Sequence, residues 1–292
     1  MITDFLRYIK TERRYSAHTI EAYTLDLKTF EQFLTLHYAN CTLTEVNREM
    51  LRAFIIELKS QRLNNRSINR KLSSLRSFYN FLLKKQHIGH NPLSTIKTLK
   101  TAKNIPEFVP EALIESLTFE KIPETFEAIR DQLIFELLYQ TGMRRAEICT
   151  LRDQDIDFSS LLIKVRGKRN KERLIPFTIG LGKLIKSYYK MRNSYLRSEM
   201  FDSTIVTNKG QKCYPGLIYR SIHQQLSSIS TLSKTSPHVL RHTFATHLLN
   251  SGADLMAIKE LLGHSSLEAT QVYTHSTIEQ LKKIHKQAHP KG

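Results

Sequence analysis

The sequence predicts a mainly α-helical protein of two domains, with a small β-meander inside the second domain. Apolar residues recur every three or four positions along most of the 292 residues, which is typical of helices that bury one face. Residues 161–177 instead carry two short apolar segments around a polar turn, the pattern of antiparallel strands. The length fits two domains of ~100–200 residues each, and 40% hydrophobic residues provide enough apolar surface for two cores.

Three apolar stripes predict an N-terminal helical bundle over residues 1–86. Its helices are expected at 19–34, from 44 onward and from 66 onward. The polar face of the third helix carries side chains of the types that meet phosphate groups: Arg66, Arg70, Ser73 and Ser77. An ordinary solvated surface is the alternative for such a face. The absence of acids around it favours DNA binding.

Prolines interrupt the helical pattern between residues 87 and 110. Proline fixes its own φ and disfavours helix at the preceding residue, so helices end here. We therefore predict a linker at 87–103, between an N-terminal domain at 1–86 and a C-terminal domain at 104–292. Helices of the C-terminal domain are expected at 111–117, 126–139, 181–195, 214–226, 237–250, 254–262 and 267–273.

The net charge is the first functional signal. The chain has 44 lysines and arginines against 27 acids, a net charge of +17, and such a field attracts polyanions. Residues 58–106 contain eleven basic side chains and no acid, and residues 158–253 contain sixteen basic side chains and three acids. One basic segment in each half predicts a two-domain clamp around duplex DNA. A basic protein without a nucleic-acid role is the alternative.

Composition also excludes other classes of protein. No stretch approaches the ~18 uninterrupted apolar residues of a membrane span, so no membrane partner is expected. Residues 1–7 mix an acid and a base where a signal peptide needs an apolar core. Cys41, Cys149 and Cys213 are odd in number and far apart, which argues against a disulfide framework and predicts a cytoplasmic location.

Two segments of the C-terminal half carry basic residues at turns. Residues 141–148 place Arg144 directly after a turn that contains Gly142, at the start of a helix. Residues 167–171 place Lys168 in the turn of the predicted hairpin, where glycine and asparagine suit a positive φ. Both cations are therefore expected at exposed corners of the domain.

Two later segments add histidines, an arginine and a tyrosine. Proline after serine is typical of a helix start, so His238 and Arg241 are expected on one face of a first helical turn. Gly263 is expected to end a helix in the left-handed conformation, with His264 at the corner. Tyr273 follows nine residues later.

Together these side chains form a set that can act on a phosphodiester. Two arginine forks can bind the non-bridging oxygens of one phosphate, and histidine can take or give a proton near neutral pH. A tyrosine phenol becomes a nucleophile beside a base and cations, and a lysine can protonate a leaving oxygen. Guanidinium groups would meet the developing charge in place of Mg²⁺, so we predict no metal and no cofactor. Each residue alone has an ordinary structural interpretation, and the prediction depends on their co-occurrence.

The four segments resemble the tyrosine recombinase (phage integrase) family, and most closely the bacterial Xer recombinases. The resemblance is carried by His-Val-Leu-Arg-His-Thr-Phe-Ala-Thr-His-Leu-Leu at 238–249, Leu-Leu-Gly-His-Ser-Ser at 261–266 and Thr-Gln-Val-Tyr-Thr-His at 270–275. It extends over most of the chain, including the N-terminal helical domain. The fold that it implies is an N-terminal helical bundle followed by a C-terminal tyrosine recombinase catalytic domain.

The resemblance implies four contacts with the scissile phosphate. Arg144 and Arg241 would hold the phosphate between their guanidinium groups. His238 would act as a base or a phosphate ligand, and His264 would be a further phosphate contact. His242 and His247 lie near Arg241 in the sequence, and we expect them to make structural hydrogen bonds because no zinc motif accompanies them.

The resemblance also implies the covalent step. Tyr273 would attack the phosphorus and form a 3′-phosphotyrosyl link, while Lys168 would protonate the departing 5′-oxygen. The chain departs from the common family pattern at Ala146, where a serine is usual, and at Arg169, where a glycine is usual in the hairpin. Arg169 is therefore expected as an additional phosphate contact, beside the proposed general acid.

The implied function is site-specific recombination that resolves chromosome or plasmid dimers at cell division. The implied partners are a double-stranded DNA recombination site and a paralogous Xer recombinase in a heterotetramer, and a septal DNA translocase of the FtsK kind is a further candidate. A mobile-element integrase of the same family and a type IB topoisomerase are alternatives. A DNA-binding architectural protein is the non-enzymatic alternative. An apolar stripe at 278, 281 and 284 is expected to be exposed and to dock on a neighbouring protomer.

Overall fold

The computed structural model describes residues 1–39, 41–101, 107–117, 122–167, 172–228, 232, 235–263 and 275–291, without the side chains of 275–278 and 280. It is mainly helical with one three-stranded sheet, which confirms the predicted fold class. The chain divides into two compact units, Met1–Asn104 and Ile105–Gly292, and each has its own hydrophobic core. No helix within the described ranges is long and apolar enough to cross a membrane.

The described part of the first unit contains four helices: α1 (Ile2–Thr11), α2 (Ala17–His37), α3 (Arg48–Ser60) and α4 (Asn65–Lys84). Their apolar stripes meet in one core, where Phe30, Phe54 and Phe78 are buried. The helices expected at 19–34 and from 66 onward are confirmed as α2 and α4. The α1 helix lies outside the predicted elements.

The start predicted for the second helix, at residue 44, is wrong. The α3 helix begins at Arg48 because the side chain of Asn47 accepts a hydrogen bond of 3.0 Å from the backbone N–H of Met50. The carboxylate of Glu45 instead accepts from the backbone N–H of Thr42, at 2.9 Å, and so closes a turn before the helix. Both segments offer a capping residue followed by apolar positions, and the sequence pattern alone does not choose between them.

The segment predicted as a linker, 87–103, packs on the first unit over its described part. Leu93 and Ile96 are buried in that unit's core. The side chain of Asn69 holds the backbone of Leu99 at both its N–H and its C=O, at 2.9 and 2.8 Å. A proline-containing polar sequence predicts the absence of a helix, but it does not reveal that Leu93 and Ile96 are buried in the core of the first unit.

The second unit contains α5 (Glu111–Ser116), α6 (Phe126–Thr141), α7 (Arg145–Thr150), α8 (Ile179–Leu196), α9 (Pro215–Ser227), α10 (Pro237–Asn250), α11 (Leu255–Leu262) and α12 (His275–Ala288). Its antiparallel sheet is ordered β1 (Ile156–Asp157), β2 (Leu162–Arg166), β3 (Glu172–Pro176). The predicted helices and hairpin strands of this half are confirmed. The helix expected at 267–273 lies outside the described residues.

The C-terminal helix α12 packs against its own unit. Leu281 is buried, Ile284 packs against the core, and the imidazole Nε2 of His285 lies 2.8 Å from the carbonyl oxygen of Gln140. The expectation of an exposed apolar stripe is therefore wrong for 281 and 284, while the side chain at 278 lies outside the described residues. The 3.6-residue period shows that this face is apolar, but not which surface covers it.

Candidate active site

Two glycines in the left-handed backbone region end helices in the second unit. Gly142 ends α6 at φ +59°, and Gly263 ends α11 at φ +63°, as expected for Gly263. A Cβ at Gly142 would lie 2.5 Å from Cδ1 of Phe244, and a Cβ at Gly263 would lie 3.1 Å from Cδ of Arg173. Both turns therefore need glycine for its backbone conformation and for close packing.

Three arginines, one preceding α7, one on β3 and one on α10, meet at the carboxyl end of α11, and we call them the arginine cluster: Arg144, Arg173 and Arg241. Each donates to a different carbonyl oxygen in a row of three. Nε of Arg173 donates to Leu261 at 2.8 Å, Nη2 of Arg241 donates to Leu262 at 2.6 Å, and Nη2 of Arg144 donates to Gly263 at 3.1 Å. The last carbonyls of a helix lack partners within the helix and carry partial negative charge, so they attract cations.

Glu147 is the carboxylate that the cluster shares. Its two oxygens accept parallel bonds of 2.8 Å from Nη1 and Nη2 of Arg173. They also accept the backbone N–H of Arg144 at 2.7 Å and its Nη1 at 2.9 Å. Burial acts to raise the pKa of Glu147, but the bonds and charge of Arg173, together with the bonds from Arg144, hold that pKa below its ordinary value. The carboxylate is therefore ionised at neutral pH.

The electrostatic balance of the cluster favours an anion. Among the residues that the structure describes here, three guanidinium groups share one carboxylate, an excess of two positive charges. Burial and the neighbouring charges of Arg144 and Arg173 lower the pKa of Arg241 to about 10. Arg241 thus stays protonated at neutral pH, but in a setting where a negatively charged ligand would relieve the repulsion between like charges.

Arg241 is held in place by two helix ends. Its Nη1 donates to the carbonyl oxygen of Gly142, and its Nη2 donates to that of Leu262. His238 is exposed in the first turn of α10, three residues before Arg241, with Pro237 at the first helical position. Arg144 is also accessible, since 37% of its side chain is exposed.

The described residues thus include three of the six predicted catalytic residues. Arg144 and Arg241 lie together, bonded to adjacent carbonyls, and His238 is on the same helix as Arg241. Lys168, His264 and Tyr273 lie outside the described residues, as does Arg169 among the predicted DNA contacts.

The predicted DNA-binding face of α4 is mostly exposed to solvent, but one of its residues, Arg70, is bonded to a carboxylate within the first unit. Arg66 and Ser73 are exposed, and Ser77 is half-buried. Arg70 instead donates two bonds, of 2.6 and 2.9 Å, to the buried carboxylate of Asp26, although half of its side chain remains exposed. Part of its charge is therefore already balanced within the first unit.

Sequence reasoning missed Glu147 and Arg173 as site residues. Glu147 lies in the same segment as Arg144, three residues after it. At this spacing, a side chain in the first turn of a helix can accept a hydrogen bond from the backbone N–H of the residue that precedes the helix. On β3, Arg173 and Ile175 lie on the same buried face, whereas Glu172, the first residue of the strand, is exposed. A charged residue on the core face of a strand is the signal that could have identified Arg173.

Of the two histidines for which we expected structural hydrogen bonds, His247 makes one. His247 is buried on α10, and its Nδ1 lies 3.1 Å from the hydroxyl oxygen of Tyr139 on α6. Desolvation lowers the pKa of His247, so the neutral ring is favoured. This bond joins the two core helices α6 and α10.

We expect Gly142→Ala to lower the free energy of unfolding by about 2–5 kcal/mol, since a left-handed alanine costs ~1–2 kcal/mol and displacing Phe244 costs ~1–3 kcal/mol more. Urea denaturation measures the change. Gly252→Ala is the matched control, because Gly252 also has a positive φ of +82° but nothing lies within 4 Å of its added Cβ. Equal losses in the two variants would show that packing against Phe244 contributes nothing.

Comparison with protein-family models identifies both units. Residues 2–86 match the phage integrase N-terminal SAM-like domain, and residues 111–280 match the phage integrase family. The second match contains the complete arginine cluster and the stretch from α5 to the first part of α12.

Curated relatives match over nearly the whole chain. Tyrosine recombinase XerC of Chlorobaculum tepidum is 35% identical over 315 residues, covering 99% of this chain and 94% of the relative. Tyrosine recombinase XerC of Listeria innocua is 38% identical over 296 residues, covering 99% and 97%. A solved structure of the XerH site-specific recombinase, bound to a palindromic difH substrate after cleavage, has a TM-score of 0.71 at 20% identity and covers 97% of this chain and 83% of that one.

The chain therefore belongs to the phage integrase family of tyrosine recombinases. Members of this family cleave and rejoin DNA strands in site-specific recombination. An arginine cluster with excess positive charge, carried by the domain that matches the family model, fits an enzyme that acts on phosphodiesters.

Proposed function

We propose that this chain is a Xer-type site-specific recombinase in which two members of the arginine cluster, Arg144 and Arg241, bind the scissile phosphate. The observation that carries the proposal is the convergence of Arg144 and Arg241 on the carbonyls of Leu262 and Gly263, in a site with more guanidinium than carboxylate charge. Phosphate is the anion that arginine forks bind best, because two parallel N–H bonds match two of its oxygens. In this proposal Arg144 and Arg241 orient and neutralise one phosphodiester.

The carbonyl contacts prepare both arginines for this role. A guanidinium has five N–H donors, and the bonds described above use two of those in the side chain of Arg241 and two in that of Arg144. Because the forks are already oriented, little side-chain entropy is lost when phosphate binds. The charge that grows on the non-bridging oxygens in the transition state is then stabilised by fixed donors.

The proposed covalent step exchanges one phosphodiester for another. The oxygen of Tyr273 bonds to phosphorus, the bond to the 5′-oxygen breaks, and Lys168 gives that oxygen its proton. His238 accepts the phenolic proton and is also a candidate phosphate ligand, and His264 makes a further phosphate contact. The 5′-hydroxyl of a partner strand reverses the step, so no ATP, metal or cofactor enters the balance.

The proposed cellular role is resolution of chromosome or plasmid dimers at cell division, in the cytoplasm. It is supported by full-length similarity to relatives named XerC. We propose that the two units hold duplex DNA from two sides, with Arg66, Arg70, Ser73, Ser77 and Arg169 as contacts. We further propose assembly with a paralogous Xer recombinase into a heterotetramer, regulated by a septal translocase of the FtsK kind.

A nicked substrate tests the covalent step. Bound sequences are first selected from a random pool of duplexes, and a nick is then scanned through the selected site. When the nick lies close to the cleavage position, the fragment with the free 5′-hydroxyl diffuses away and the covalent intermediate accumulates. We expect a protein–DNA band on a denaturing gel and, after proteolysis, DNA on the peptide that contains Tyr273.

The same preparation separates the alternative functions. Two duplexes with different labels should yield recombinant strands, most efficiently when the paralogue is present. Relaxation of a supercoiled plasmid without joined duplexes would indicate topoisomerase activity instead. Binding with no covalent band at any nick position would contradict the enzymatic proposal and leave an architectural protein, whereas use of sites within a transposable element would indicate a mobile-element integrase.

A further inference from the structure

Arg173 belongs to the arginine cluster but has no part in the proposed strand transfer. It is on β3, five positions after Lys168, and only 6% of its side chain is exposed. All three of its guanidinium nitrogens donate bonds of 2.8 Å, two to Glu147 and one to the carbonyl oxygen of Leu261. A side chain this deeply buried does not reach DNA directly.

We propose that Arg173 is a positioning residue for DNA cleavage, which fixes Glu147 and the end of α11 and through them orients Arg144 and Arg241. The inference rests on the proposed function, because it takes Arg144 and Arg241 to be the phosphate-binding groups. It adds a third arginine that acts without touching the substrate.

The first step concerns the shared carboxylate. A buried carboxylate must be paired, since leaving one uncompensated is strongly unfavourable. With Arg173 present, Glu147 has two parallel bonds from Arg173 and needs only one side-chain bond from Arg144. Without Arg173, Arg144 would be the remaining described cation on this carboxylate, and we expect it to turn fully towards Glu147. Arg173 thus keeps the second end of the Arg144 fork on Gly263.

The second step concerns the row of carbonyls. Arg173 holds Leu261, and the next two carbonyls hold Arg241 and Arg144. The Cα of Gly263 also packs on the same side chain, since an added Cβ would lie 3.1–3.3 Å from Cδ, Nη1 and Nε of Arg173. The position of Arg173 therefore sets the position of the peptide groups that orient the other two arginines. It also joins β3 to α11, across 88 positions of the chain.

Arg173→Met tests the proposal, because methionine keeps most of the length of the side chain without its charge or donors. We measure the dissociation constant for the selected DNA site and the single-turnover cleavage rate on the nicked substrate, both corrected for the folded fraction. We expect cleavage to slow by at least ~30-fold, since small displacements of catalytic groups cost up to ~100-fold. DNA affinity should stay within about threefold, because many other phosphate contacts support binding.

Arg192→Met is the matched control. Arg192 is also buried in the second unit. It donates bonds of 3.2 and 2.8 Å to the two oxygens of Asp153 and one bond of 3.0 Å to the carbonyl oxygen of Thr204. Its partners differ from those of the arginine cluster. We expect this variant to lose stability but to cleave at the wild-type rate in its folded fraction. A purely structural role for Arg173 predicts the same behaviour for both variants.

A neutral substrate provides a readout that a structural role would not change. A methylphosphonate at the cleavage position replaces one non-bridging oxygen by methyl and removes the charge that Arg144 and Arg241 neutralise. The rate ratio of wild type to Arg173→Met should then shrink to about threefold or less, because misplaced guanidinium groups matter less for a neutral centre. An unchanged ratio overturns the proposal.

Two further variants keep the proposal testable. The double variant of Arg173→Met with Glu147→Gln removes both buried charges, and we expect it to cleave faster than Arg173→Met alone because Arg144 is no longer drawn to a carboxylate.

Arg173→Lys tests the proposal if Arg173→Met fails to fold. Lysine keeps the charge but cannot make three fixed bonds, so the proposal requires its cleavage rate to be at least ~10-fold below that of wild type. Wild-type cleavage by whichever variant folds overturns the proposal. Failure of the proposed function is distinct, because it would appear as a wild-type protein without a Tyr273 adduct.

Discussion

Replacing Tyr273 with phenylalanine is expected to abolish the covalent protein–DNA adduct. The phenolic oxygen is the proposed nucleophile, and phenylalanine keeps the ring while removing the atom that would bond to phosphorus. DNA affinity should remain within about twofold, because charged contacts distributed along the phosphate backbone dominate binding. The nicked duplex measures both properties, by denaturing gel for the adduct and by native gel for the complex.

Tyr195→Phe provides the control for loss of a hydroxyl group. Tyr195 is half exposed on α8, and its ring stacks on Phe126 with centroids 4.8 Å apart. We expect this variant to form the adduct at the wild-type rate. An adduct that survives in Tyr273→Phe would assign the nucleophile to another residue and would refute the proposed covalent step.

Arg241→Ala is expected to slow single-turnover cleavage by ~10³-fold, because one fixed cationic donor to a developing oxyanion is worth ~10²–10³-fold and an arginine on a transferring phosphoryl group can be worth more. The bonds of Arg241 to Gly142 and Leu262 orient its fork before substrate binds, so the loss should fall on the rate rather than on DNA affinity. Rates measured with saturating enzyme separate the two quantities.

Arg241→Lys should recover only part of this loss. Lysine restores a positive charge, but a single ammonium group cannot bond to two carbonyl oxygens and to phosphate in a fixed plane. Arg192→Met again shows what loss of a buried arginine does away from the cluster. Cleavage by folded Arg241→Ala at a rate near that of wild type would remove Arg241 from the proposed mechanism.

Much of the architecture could be predicted because it depends on short-range patterns. The apolar period identified α2, α4, α5, α6, α8, α9, α10 and α11, and the polar turn between two apolar segments identified the β2–β3 hairpin. The glycine that ends α11 was predictable from the need for a positive φ. Boundaries were weaker where two capping residues competed, as at the start of α3.

The candidate site was only partly predictable. Residue types in short segments pointed to Arg144, His238 and Arg241, and family resemblance assigned their roles. Nothing in those segments showed that Arg70 bonds to Asp26, 44 positions away, or that the stripe on α12 packs on its own unit. Such contacts depend on which surfaces meet after folding.

The sequence by itself determined that this protein is helical, basic and built from two units, and which side chains could act on a phosphodiester. Only the tertiary structure decided that Arg173, Glu147 and the three carbonyls at the end of α11 form the support for Arg144 and Arg241. The physical reason is range: helix periods and turn chemistry act between near neighbours in the chain, whereas Arg173 meets Glu147 across 26 positions and Leu261 across 88. Burial of a charge is stable only when such distant partners converge on it.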